Sequence, residues 1–145
     1  MDSRIAGSIA GAVATIPMTA VMSALERWED LPPQRITENV AGGALNQEQA
    51  EALSITAHFG LGAAAGAGYA GFAGESGLPP VAEGALYGLA VWGGAYLGVL
   101  PHSGLYPSPS HDRRSRTMLM IGAHLVWGAA LGLVWHALAS RVDSD

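Results

Sequence analysis

The chain has 145 residues, of which 50% are hydrophobic and 20 are Gly, while only 13% are charged, about half the share in an ordinary soluble domain (~25%). Its net charge of −5 arises from 12 acids and 7 bases, and all the bases are Arg. That balance excludes a broad basic nucleic-acid surface. The absence of Cys excludes disulfides, thiolate metal sites and a cysteine nucleophile.

Four apolar runs organise the chain, at about 5–25, 52–73, 81–100 and 117–139. Each approaches the ~20 residues that a helix needs to cross a hydrocarbon core. The first run begins close to the N-terminus but is longer than a signal-peptide core, so it is read as a retained helix, kinked at Pro17. It carries Gly7-x-x-x-Gly11-x-x-x-Thr15, a stripe on which another helix can pack closely.

A polar connection over 26–51 follows. Trp28 suits an interfacial anchor, and Ile36 and Val40 suggest a short helix lying on the membrane surface. Asn46 with Gln49 has the spacing of a capping box, which starts the second helix before its apolar run. That run is rich in Ala and Gly and is the weakest of the four. Residues 75–80 form a turn, so helices two and three are expected to make a tight antiparallel hairpin. The third run carries Gly84-x-x-x-Gly88 followed by Trp92 and Tyr96. Residues 101–116, with Pro101, Pro107 and Pro109, read as a loop, and the fourth run begins at Thr117.

Runs two and four contain the same pattern, H-x-x-x-G-A-A-x-G, at His58–Gly66 and at His124–Gly132. A four-residue step on a helix nearly closes one turn, so Gly62 and Gly66, like Gly128 and Gly132, continue a stripe that begins at the histidine. With Gly-x-x-x-Gly opening runs one and three, the expected fold is all-α. It is a single transmembrane domain of four spans, built as two tandem helical hairpins related by an axis along the membrane normal. The glycines Gly7, Gly11, Gly62, Gly66, Gly84, Gly88, Gly128 and Gly132 are its expected packing residues.

In order and spacing, Gly7-x-x-x-Gly11-x-x-Ala14-Thr15, Leu31-Pro32-Pro33-x-x-Ile36-Thr37-Glu38 and His58-Phe59-Gly60-x-Gly62 resemble the YagU-like small integral membrane proteins, a group of unknown function. So do Tyr87 to Trp92, Tyr96-Leu97-Gly98-x-Leu100-Pro101 and Met120 to Gly128. The resemblance spans nearly the whole chain and implies a polytopic helical membrane protein. It carries no activity, ligand or functional residue.

The histidines are the residues that chemistry would use. The hairpin arrangement brings Glu26, His58, His102 and His124 toward one surface, and His58 and His124 lie inside apolar runs, where ionisable groups are expensive. Three readings compete: neutral imidazoles that lock helix packing, a metal or proton site completed by His102 or Glu26, and bis-histidine haem ligation by His58 and His124. His102, His111 and His136 otherwise read as loop or interfacial residues. Ser54 and Ser103 lie near histidines in sequence but form no nucleophile elbow.

The function expected from the sequence is therefore that of a non-enzymatic structural, accessory or permeation-related membrane protein, with haem or metal binding as the alternative. Only Ser8, Thr15, Thr19, Ser23, Ser54 and Thr56 offer a polar lining for a pathway. The expected partners are the lipid bilayer and further copies of the chain or another membrane protein, and no nucleic acid. Five arginines on the 1–2 and 3–4 connections, against Arg4 and Arg141 on the other side, put those two loops in the cytoplasm of a multi-pass plasma-membrane protein.

Overall fold

A computed structural model describes residues 2–25, 44–104 and 112–142, and what it describes is helical. Helix α1 spans Ser3–Leu25 and α2 spans Gln47–Tyr69. Helix α3 runs over Pro80–Ser103, with a π-helical segment at Gly94–Val99 between its two α-helical parts. Helix α4 spans Arg114–Val142. The membrane-surface helix expected near Ile36 and Val40, together with Trp28, Glu26 and His111, lies outside the described residues.

Three of these helices are long and apolar enough to cross a bilayer: Ser3–Ala24, Pro80–Ser103 and Arg114–Ser140. Their residues are distributed in the manner of a membrane protein. On α1, Ala6, Ala10 and Ala14 are buried while the larger Ile5, Ile9, Val13 and Ile16 are exposed. Small side chains face neighbouring helices and branched ones face outward, the reverse of a soluble amphipathic helix. Pro17 sits within α1 without ending it.

The helix ends follow local chemistry. Asn46 caps α2: its side chain accepts from the Gln49 amide at 2.9 Å, and the Gln49 side chain accepts from the Asn46 amide at 3.1 Å. Helix α2 ends at Tyr69, four residues short of the apolar run, because the chain turns there into the connection to α3. Helix α3 continues past Leu100 to Ser103, so the third connection starts later than Pro101 suggests. Pro101 has no amide to give its i−4 carbonyl, and its ring crowds that carbonyl; widening to the π form just before it accommodates both effects. Gly104, at φ 71°, then ends the helix in the left-handed region. Arg114 and Arg116 belong to the first turn of α4 rather than to a loop, and the Arg116 guanidinium pairs with Asp112 at 2.8 Å.

Helix α1 packs on α2, α3 on α4, and α1 on α4. The α2–α3 pair, expected as the tight hairpin, meets through side chains near the connection instead of along its backbones. The core common to these helices comprises Ala10, Ala14, Met18, Met22, Tyr69, Tyr96, Met120, Ala123, Trp127 and Leu131.

Candidate functional site

The glycines set the depth of every other residue. A Cβ on Gly7 would fall on the Gly66 carbonyl, and one on Gly11 would fall on the Gly62 carbonyl. In the other pair, Cβ atoms on Gly84 and Gly88 would fall on the carbonyls of Gly128 and His124, and one on Gly132 would meet the Pro80 carbonyl. Backbone therefore touches backbone at both seams. Gly11 stands opposite Gly62 where Gly84 stands opposite Gly128. Gly84-x-x-x-Gly88 thus corresponds to Gly11-x-x-x-Thr15, one turn along from the correspondence with Gly7-x-x-x-Gly11 that the sequence pattern suggests. A stripe repeating every four residues offers both registers equally, and only the partner helix chooses.

The two seams are tied at one level. The Trp127 indole donates to the Gly11 carbonyl at 3.2 Å, and the Thr15 hydroxyl donates to the same carbonyl at 2.9 Å. Leu61 holds the matching position in the other copy of the repeat, yet it is 71% exposed. One tryptophan thus binds α4 to α1, and its counterpart makes no equivalent junction.

From this crossing, His58 and His124 each lie one turn toward the N-terminus of their own helix, about 6 Å along the axis. They therefore share one depth in the bundle, each on its own copy of the repeat. His124 Nδ1 donates to the Met120 carbonyl at 2.8 Å, which leaves Nε2 of the neutral ring with its lone pair. His58 Nε2 is shielded from solvent and has no hydrogen-bond partner. A buried polar atom without a partner is uncommon in a folded protein and asks for an explanation.

His102 is exposed, and its Nδ1 donates to the Gly98 carbonyl of its own helix at 2.8 Å. It does not join the pair, and no three of His, Cys, Asp and Glu among the described residues form a metal-holding group. Glu26, the other expected ligand, falls outside the described residues. His136 is exposed near the end of α4. Of the hydroxyls expected to line a pathway, Thr15, Thr19 and Thr56 each donate to the carbonyl four residues back in their own helix.

The opposite end of the bundle holds a cluster that residue spacing does not reveal. Glu83 is 8% exposed and accepts from the Tyr69 hydroxyl at 2.9 Å, from the Gly74 amide at 2.9 Å and from both the amide and hydroxyl of Ser76, at 3.3 and 2.5 Å. The acid closes the connection between α2 and α3. Gly74 adopts φ 87°, which turns its amide onto the carboxylate. Tyr87 completes the clasp by donating to the Ala65 carbonyl at 2.7 Å. Rings of Tyr69, Phe72, Tyr87, Trp127 and Trp135 pack around it at centroid separations of 5.2 to 6.4 Å. The one sequence signal was an acid, Glu83, within a run otherwise free of charge.

These features describe an all-helical protein, three of whose helices are able to cross a membrane, with paired glycine seams and a histidine one turn along the helix from the crossing in each. Over residues 1–145 the chain matches the model of a family of unknown function, DUF6789, and it belongs to that family. The YagU-like likeness rests on its motifs alone. No curated protein and no solved structure matches the chain.

Proposed function

We propose that the chain is a four-span integral membrane protein with a structural or accessory role, and that it is not an enzyme. The observation that carries this reading is the inside-out arrangement of side chains: backbone and alanine line the seams, while Ile5, Ile9, Val13, Ile16, Leu86 and Leu133 face outward. Helix α2 is the fourth span. It matches α1 in length at 23 residues, has no charged residue from Ala52 to Tyr69, and exposes Leu53, Ile55 and Leu61. Its modest apolarity reflects Ala and Gly rather than charge. The architecture is two tandem hairpins. In support, Tyr69 and Trp135, which occupy matching positions of the repeat, meet edge to face at 6.4 Å, as expected for residues beside a twofold axis.

An interior filled by Ala, Met and aromatic side chains favours a packing role over a pathway within one chain, and assembly with further copies or another membrane protein is part of the reading. The YagU-like motifs agree with it. The connections around 26–51 and 105–113 face the cytoplasm of the plasma membrane.

The native chain has no Cys, so single cysteines report topology without background. Ser3→Cys and Glu75→Cys are expected to react with a membrane-impermeant maleimide on intact cells, whereas Ala44→Cys and Ser103→Cys react only after the membrane is opened. Equal labelling of Ala44→Cys and Glu75→Cys from one side would remove α2 from the membrane and end the four-span reading.

A second reading is favoured by the buried, unpartnered Nε2 of His58: together with His124, at the same depth on α4, it holds a haem or a metal ion. An absorption spectrum and metal content of the detergent-purified protein test it. A protein that is colourless and metal-free, and stays so after reconstitution, would dispose of this reading and leave the first intact.

A further inference from the structure

Helices α2 and α3 are joined at one end. Along the seams α2 lies on α1 and α3 lies on α4. Near the connection, Tyr87 donates to the Ala65 carbonyl, and Glu83 accepts from Tyr69, Gly74 and Ser76. Within the connection, residues 71, 72 and 74–79 are exposed, and Gly74 and Gly77 both stand at positive φ, 87° and 68°. A segment with so few buried contacts opens easily, so the bonds accepted by Glu83 decide whether it stays closed.

Those bonds have one polarity. Each group that meets the carboxylate donates: a phenol hydroxyl, two backbone amides and a serine hydroxyl. The Ser76 hydroxyl also accepts from the Leu78 amide at 3.2 Å, which leaves its O–H to donate to Glu83. An ionised carboxylate takes all four, because its two oxygens offer about four lone-pair positions. A protonated one adds a further donor to a ring of donors, and either that O–H or the group it displaces is left without an acceptor. The closed connection therefore belongs to the ionised acid. Other titratable groups at this end do not share the role. Asp2 and Arg4 of α1, Glu75 of the connection and His136 of α4 are exposed, and Tyr87, one turn along α3, donates to Ala65.

We propose that Glu83 is a proton-operated latch, whose protonation releases the 70–79 connection and parts α2 from α3 at this end. The bonds are complete where Glu83 is ionised and are lost as pH falls through its titration. The glycine seams and the Trp127 bond to the Gly11 carbonyl contain no titratable group, so each hairpin and the α1–α4 junction stay closed. The latch gives the structural role proposed above a conformation that responds to acid, and it does not depend on the histidines.

The test is hydrogen–deuterium exchange of the full-length protein in detergent, read by mass spectrometry from about pH 8 to about pH 3, below the ordinary glutamate range. Rates are corrected for the intrinsic pH dependence of exchange, and far-UV circular dichroism follows the helices. Protection of the Gly74 and Ser76 amides is expected to fall about 10–100-fold across one acid transition, while peptides from α1 and α4 keep theirs. Tyr69→Phe and Ser76→Ala each remove a donor that favours the ionised acid, so release sets in at higher pH. Glu83→Gln is released at every pH. Glu75→Gln and His136→Gln follow the native protein.

Protection over 70–79 that stays constant while the helices persist overturns the latch. Protection lost only together with that of α1 and α4 does the same, as does a transition that moves with Glu75 or His136. An unchanged transition in Tyr69→Phe and Ser76→Ala also overturns it, and these two variants decide the matter even where Glu83→Gln does not fold.

Discussion

Glu83 shows how one side chain can organise a connection. Its two oxygens accept hydrogen bonds from Tyr69, Gly74 and Ser76, which joins the end of α2, the turn and the start of α3. A carboxamide in its place would present an NH2 group to at least one of these donors, leaving that donor without its acceptor. Glu83→Gln is therefore expected to lower stability by about 1–3 kcal/mol. It should reduce the melting temperature in detergent and quicken proteolysis within residues 70–79. An unchanged melting temperature would show that water replaces the carboxylate without cost. At the same scale, Trp127→Phe keeps a ring in the core but loses the bond to the Gly11 carbonyl, at an expected cost of about 1 kcal/mol, read by the same melt.

At the scale of elements, the seams between helices are held by the absence of side chains. Gly11 and Gly122 are both glycines inside helices, and composition cannot rank them. A Cβ on Gly11 would strike the Gly62 carbonyl, whereas one on Gly122 meets nothing within 4 Å. Gly11→Ala must force α1 and α2 apart, and overpacking of this kind costs about 1–3 kcal/mol or more. Gly122→Ala should instead be neutral or stabilising by up to about 1 kcal/mol, since Gly is a poor helix former. The difference between the two melting temperatures measures seam packing against helix propensity. If both fall equally, the seam does not hold the helices. The capping of α2 was legible in advance, because Asn46 and Gln49 have the spacing a capping box requires. The π segment was not, because widening at Gly94–Val99 depends on how the helix accommodates Pro101 rather than on any periodic signal.

For the whole molecule, the order of packing is a chain of neighbours: α2 on α1, α1 on α4 and α4 on α3. The repeat is symmetric in its glycines and asymmetric in its junction, where Trp127 reaches Gly11 and Leu61 faces outward. Leu61→Trp would place an indole on that exposed face and leave the junction intact, so the melting temperature should stay within roughly 0.5 kcal/mol equivalent of the native value. A large gain would mean that a second junction can close between α2 and α3.

What the sequence determined by itself is the helical class, three helices long and apolar enough to cross a membrane, and the glycine stripes, because spanning capacity follows from length and apolarity and stripes from the four-residue period. It also marked His58 and His124, since a histidine within an apolar run stands out in composition alone. Tertiary structure decided which turn of each stripe meets its partner, which copy of the repeat reaches across to α1, and that His102 stands apart from the other two. It alone revealed the Glu83 clasp, whose four partner groups lie 7 to 14 residues away along the chain. The physical reason is common to all of these: a period fixes which residues share a face, but the depth at which two faces meet depends on close contact between backbones, which no single helix encodes.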